Sequence, residues 1–190
     1  MRPAGYLIHG AQAGGGAGYT YVMAGNGLFL EAENPLITAR LRLAEARVRG
    51  LEPLEELLEL RHGRVPGYLL SLVMDVMTAD REREMYAAIV WDGGYRIVLP
   101  PQEAGATHVT YETVPETVVN IHSHSRMEAF FSGADDADDQ GFTVSVVVGR
   151  LDAIFPEARA RLCVYGYFAP IRMRQVFDQF RGVETWDTNL

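Results

Sequence analysis

Residues 66–84, PGYLLSLVMDVMTADRERE, constrain the fold more than any other stretch of this chain. Proline suits a first helical turn, where its missing N–H would have had no partner anyway. Leu69, Leu70, Leu72, Val73, Met74, Val76 and Met77 follow it. At 3.6 residues per turn they cover most of the circumference, so the helix is expected to be largely buried. A helix of that kind needs other layers around it.

Strand patterns supply those layers. EMYAAIVWDGGYRIVLP reads as two strands around Asp92-Gly93-Gly94, and ATHVTYETV alternates after it. TVVNIHSH is an apolar strand that runs straight into two histidines. FTVSVVVGRL (142–151) and RARLCVYGYF (159–168) read as two further strands, and IRMRQVFDQF as a closing helix. Ahead of residue 66, GAQAGGGAG (10–18) lacks the Gly-Lys-Ser/Thr ending of a phosphate loop and reads as a flexible connection. Tyr19–Met23 and Leu28–Ala32 flank Gly25-Asn26-Gly27 as a hairpin. LITARLRLAEARV (36–48) fits a strand or a helix, with its alternation favouring the strand, and LEPLEELLELRHGRVP carries a short amphipathic helix ending near Gly63. The expected fold class is α+β, α/β in the broad sense. A mixed, mostly antiparallel sheet flanked by helices would occupy 66–190, and an N-terminal α+β extension 1–65.

Composition narrows the function. A length of 190 residues suits one domain with an elaboration, and 48% hydrophobic content is enough for a core. The net charge of −8 argues against a nucleic-acid backbone or an anionic membrane surface as the main partner. No run approaches a membrane span, and the first residues lack the continuous apolar segment of a signal peptide. The expected location is the cytoplasm. Cys163 has no second cysteine to pair with, and its setting in RLCVYGYF is that of a buried strand. All 17 basic residues are arginine. Coding bias is the plain reading, although a lysine-free chain also offers no ε-amine to conjugation.

NIHSHSRMEAFFSGADDADD (120–139) carries the chemistry. Alternate residues of a strand share a face, so His122 and His124 project together and make half of a tetrahedral zinc site. Asp135 is the candidate third ligand, with Asp136 as a substitute one helix step away. Ser132 and the acids after it can also be read as a helix N-terminus, capped by Ser-x-x-Asp and favoured by the macrodipole. Asp138 and Asp139 read as solvated helix charges. His-x-His, seven residues, Ser, two residues, Asp is more than capping alone asks for. His9, His62 and His108 lack partners at ligand spacing. Phe130 and Phe131 are expected to pack the loop against the core and Trp91 to pack at a strand end, while Trp186 would anchor the tail or a partner.

HSHSRMEAFFSGAD resembles the motif of the JAB/MPN metalloenzymes, the JAMM zinc peptidases, and the likeness covers about 66–190. It implies Zn2+ held by His122, His124 and Asp135, with Ser132 stabilising the oxyanion. It also implies a general-base glutamate where a helix gives way to a strand, here ADREREMYAAIVW. Glu84 is the choice, with Glu82 two residues earlier as the alternative. Two positions depart from the family pattern: Ser125 stands where proline is usual, and Ala87 where glycine is. A looser likeness, through AGNGLFL, HSHSRMEAFFSGADDADDQGF and RLCVYGYF, is to bacterial JAB proteins of PRTRC systems, encoded beside ThiF-like and ubiquitin-like partners. The resemblance therefore implies a metallopeptidase or isopeptidase acting on a ubiquitin-like protein or its conjugate, with a ThiF-like partner and a homodimer among the expected associations. Two other readings stay open. One is a non-catalytic scaffold for such partners, and the other a hydrolase of a different small substrate.

Overall fold

The computed structural model describes residues 4–8, 18–104, 109–112 and 114–185. The chain forms two compact units, residues 1–63 and 64–190. His9, His108, Trp186 and most of the glycine-rich segment lie outside the described residues.

The first unit is a five-stranded sheet in the order β1 (Ala4–Ile8), β2 (Tyr19–Ala24), β3 (Gly27–Glu33), β4 (Ile37–Glu45), β5 (Leu57–Leu60). β1 runs parallel to β2, and the remaining neighbours are antiparallel. The expected hairpin is present, and its turn is stapled by Asn26. The Asn26 amide donates to Leu54 O at 2.8 Å and accepts from Leu54 N–H at 2.9 Å. Val22, Ala24, Phe29 and Leu54 pack together as a buried cluster. Ile37, Ala39 and Leu41 are buried on alternate positions of β4, as its pattern required. The short helix expected before Gly63 is corrected by the structure. Leu57–Leu60 is a strand paired antiparallel with Ile37–Arg40. Leucine and glutamate favour a helix, but an open sheet edge beside four residues overrides that weak preference.

The second unit is built on a seven-stranded sheet. Its path runs β13 (Tyr167–Ile171), β12 (Glu157–Val164), β11 (Phe142–Gly149), β10 (Thr117–Ser123), β6 (Tyr86–Trp91), β7 (Tyr95–Val98), and β14 (Glu184–Thr185) joins β12. β8 (Gln102–Ala104) and β9 (Val109–Tyr111) form a separate pair. The helices are α1 (Gly67–Ala79), α2 (Gly133–Asp138) and α3 (Met173–Val176). The fold is α+β with a mixed, mostly antiparallel sheet, as the patterns indicated.

Helix α1 buries Gly67, Leu69, Leu70, Val73, Met74 and Met77. Leu72 and Val76, read as part of an all-round apolar surface, are exposed with Tyr68 along one stripe. Gly67 is required at the start of α1, because a Cβ there would fall 1.0 Å from Gln179 O. RARLCVYGYF is not one strand but a tight hairpin. Tyr165 and Gly166 both take positive φ, the backbone that a two-residue hairpin turn uses. The closing helix shrinks to the single turn of α3. Ile171 belongs to β13 opposite Ala160, and Phe177 is already extended and fully buried.

The arrangement of β10 and β11 positions the chemistry. They pair in parallel, Val119 with Val144 through Ser123 with Val148. Parallel neighbours cannot be joined by a tight turn and need a crossover of a dozen or more residues. Residues 124–141 form that crossover, and α2 lies within it. Every residue of β11 is buried, so the crossover departs from and returns to the middle of the sheet.

Candidate metal centre

The strand period places His122 on the same face as Asn120, and His124 continues that face one step beyond β10. The His124 N–H donates to Val148 O at 2.7 Å, which keeps the backbone in sheet register. The imidazole centroids lie 5.1 Å apart. His124 is buried and His122 nearly so.

Asp135 reaches the same point from α2. Its Oδ1 lies 3.1 Å from His122 Nε2, and its Oδ2 lies 3.6 Å from His124 Nε2. One ligand atom from each of the three residues fits within 4.8 Å of the others, the only such group of His, Cys, Asp and Glu among the described residues. Burial acts to raise the Asp135 carboxyl pKa. The imidazoles of His122 and His124, with Ser132, outweigh it and hold the group far below the usual carboxylate range. The site therefore presents a carboxylate between two imidazoles.

SGADD is a capped helix start, and the same segment brings Asp135 to the histidines. Ser132 is the N-cap of α2: its Oγ accepts from Asp135 N–H at 3.3 Å, and its own N–H donates to Asp135 Oδ2. The residue that completes the capping box is the one that meets the histidines. Ser132 Oγ spends only an acceptor on this contact. The same hydroxyl also helps to hold the Asp135 carboxyl low.

Glu84 and Glu82 separate clearly. Glu82 is exposed and ion-paired with Arg126. Glu84 is 5% exposed and lies just before β6. Tyr86 pairs with His122 in the antiparallel β6–β10 register. The pairing continues past the strand ends, since Ser123 N–H donates to Met85 O at 2.9 Å and Met85 N–H donates to Ser123 Oγ at 3.0 Å. That register sets Glu84 opposite His124 on the histidine face. Glu84 is not part of the three-ligand cluster itself. Ser123, the residue between the histidines, was not singled out in the sequence. It extends the ladder that carries Glu84.

Other expectations are revised. Asp136 pairs with Arg161 and is unavailable to the centre. Asp139 is not a solvated helix charge, because it is 6% exposed and bound to Arg161 Nη2 at 2.8 Å. Phe130 packs edge-on against His124 with centroids 4.7 Å apart, and Phe131 against His122 at 6.1 Å. Phe130 still leaves 42% of its surface exposed. Trp91 packs edge-on against Tyr95 at 4.9 Å. His62 is exposed in the turn after β5. Cys163 is fully buried, and burial raises its thiol pKa well above the ordinary value.

Ser125 takes a φ of +49°, a backbone that a proline ring locked near −65° cannot adopt. Its carbonyl accepts from Leu151 N–H at 2.9 Å. The loop after the second histidine thus follows a path that excludes the proline usual in the motif. It also presses on Gly149, where a Cβ would sit 2.4 Å from backbone atoms of Met127, Glu128 and Ala129.

Residues 68–163 match the family described as prokaryotic homologs of the JAB domain. That span is half of the chain and holds the sheet core, the crossover and all five candidate residues, and the chain belongs to this family. No curated protein matches the chain. None of the helices among the described residues is long and apolar enough to cross a membrane.

The residues present suit a zinc ion. Tetrahedral zinc with bonds of about 2.0–2.1 Å wants its ligands roughly 3.4 Å apart, and the two imidazole–carboxylate separations are 3.1 and 3.6 Å. His122 Nε2 and His124 Nδ1 are buried without a directed hydrogen bond, a cost that coordination at Nε2 of His122 would remove. Two imidazoles and one carboxylate are three candidate ligands, one fewer than a closed tetrahedral site needs.

Proposed function

We propose that this chain is a zinc-dependent peptidase or isopeptidase that hydrolyses an amide bond, next to the C-terminus of a ubiquitin-like protein. The observation that carries the reading is the convergence of His122, His124 and Asp135 on one point, with the buried Glu84 in register opposite His124. His122, His124 and Asp135 would hold the ion. When bound, zinc polarises a carbonyl and lowers the pKa of water to about 7.

The chain's own residues do the rest. Glu84 takes a proton from the attacking water and delivers it to the leaving amine, a role that burial near the reacting atoms suits. Ser132 donates its hydroxyl proton to the carbonyl oxygen as that atom gains charge. Asp135 stays ionised throughout, so it can neutralise a cation without first losing a proton. The PRTRC-like character of the sequence supports a ubiquitin-like substrate and a ThiF-like partner.

The test compares wild type with Glu84→Gln and Glu82→Gln. All three should carry about one zinc per chain. Glu84→Gln should lose hydrolysis of a ubiquitin-like conjugate by roughly 10²–10⁴-fold, and Glu82→Gln should retain it. Full activity in both variants would refute the mechanism. A second reading, a scaffold binding a ubiquitin-like or ThiF-like partner without cleaving it, is favoured by the two departures at Ala87 and Ser125. It predicts partner binding that survives chelation, with no cleavage of any conjugate.

A further inference from the structure

We infer that Arg161 is a positioning residue for this centre, clamping α2 to the sheet so that Asp135 stands against the two histidines. The inference rests on the metal reading above but concerns a residue that plays no part in the family motif.

The register places it. Arg161 on β12 is opposite Ser145 on β11, and Ser145 is opposite Asn120 on β10, one alternation from His122. Arg161 thus rises from the histidine face, two strands away, about 10 Å at ordinary strand spacing. Its side chain is 5% exposed. Nη1 donates to Asp136, and Nη2 donates to Asp139 Oδ2 at 2.8 Å. The guanidinium plane lies between two rings, 4.0 Å from the Phe131 centroid and 4.1 Å from that of Phe168.

Both arms end beside the ligand. Asp136 is the next residue after Asp135, and the Asp139 N–H donates to Asp135 O at 2.9 Å. Phe131, under the guanidinium, is also the ring that packs on His122. One side chain therefore bears on the surroundings of two ligands at once.

α2 needs such an anchor. It has six residues and buries none of them. A helix this short is not stable on its own, and most helices are held by an apolar face. Here the capping box fixes the N-terminus, and the Arg161 pairs tie the body to β12. A buried ion pair contributes more to a defined geometry than to net stability. A planar fork reaches two carboxylates in fixed directions while lying over two rings, a geometry that a point-charge ammonium does not fix.

The experiment measures zinc affinity of the full chain by competition with a chromophoric chelator, alongside the melting temperature of the zinc-free protein. Variants are Arg161→Lys, Arg161→Met and Asp136→Asn, with His122→Ala as the ligand-loss control. Arg161→Lys and Arg161→Met should weaken zinc about 10–100-fold, the usual cost of losing a group that orients a ligand. A purely structural arginine would lower the melting temperature and leave the affinity of the folded protein unchanged. Affinity within twofold of wild type in both variants overturns the proposal. If neither arginine variant folds, Asp136→Asn decides, since it removes one arm at a half-exposed carboxylate. Zinc binding weakened at least threefold supports the clamp, and unchanged binding overturns it. Absence of zinc binding by wild type itself would instead overturn the metal reading, and the clamp with it.

Discussion

Substituting Gly149 by alanine tests how the loop after the histidines is held. Gly149 ends β11 and has no left-handed φ, so alanine adds no backbone strain, only contact. The added Cβ would lie 2.4 Å from three backbone atoms of residues 127–129. Ordinary carbon contacts lie near 3.5 Å, so the loop would have to withdraw by about 1 Å. Two hydrogen bonds to backbone groups of that segment tie it to the sheet, beside the exposed Arg150–Glu128 ion pair. Arg150 N–H donates to Met127 O at 2.6 Å, and Ala129 N–H donates to Glu157 Oε2 at 3.2 Å. The neutral bond is worth about 0.5–1.5 kcal/mol and the charged one about 1.5–3 kcal/mol. Losing both costs about 2–4.5 kcal/mol, which for a chain of this size is a fall in Tm of roughly 5–15 °C. Urea and thermal denaturation of the zinc-free protein would read it. Gly94→Ala is the control, because nothing lies within 4 Å of its Cβ position. If Gly149→Ala stays within about 0.5 kcal/mol of wild type, the packing argument is wrong.

Ser132→Ala should show two separable effects. Losing the N-cap lowers stability by about 1 kcal/mol, and losing the oxyanion donor slows hydrolysis by about 10²–10³-fold at retained zinc content. A rate loss explained entirely by unfolding would assign Ser132 to capping alone. Cys163 should resist alkylation in the native protein at pH 8 and react once the chain is unfolded in urea. Its folded pKa is raised by burial, so the unfolded chain releases the thiol proton first. Stability from this group is present below the ordinary thiol value near 8.5 and declines as pH rises above it. Rapid native labelling would contradict the burial.

Much of the second unit was legible because its signals are local. The helix at 67–79 announces itself by period, and the strands at 86–91, 117–123 and 142–149 by short apolar runs. The candidate ligands announce themselves by spacing, since a strand followed by a short crossover needs only a fixed number of residues to bring Asp135 back to His122. What was not legible depended on distant partners. LLEL became a strand because β4 offers it an edge. IRMRQVFDQF gave up its helix because Ile171 pairs with Ala160 and Phe177 is drawn into the core. Arg161 has no local mark at all, because its role is assembled from Asp136, Asp139, Phe131 and Phe168 on other elements. Asp139 looked like solvent-facing charge for the same reason. Glu84 could be told from Glu82 only by burial, which two acids in one polar run do not disclose.

The three candidate ligands lie within fourteen consecutive residues, on β10 and the crossover that follows it, whereas Glu84 arrives on a different hairpin, thirty-eight residues before His122. Gathering the ligands closes a short loop, and the entropic cost of closure grows with loop length. Bringing the glutamate in requires the longer-range pairing of β6 with β10, extended past the strand end by the Met85–Ser123 hydrogen bonds. On the proposed function, ion capture and hydrolysis are therefore separable. Fraying at that one sheet end would leave a protein that still carries its metal and no longer cuts. Under gentle heating or low denaturant, activity should disappear first and the metal only later.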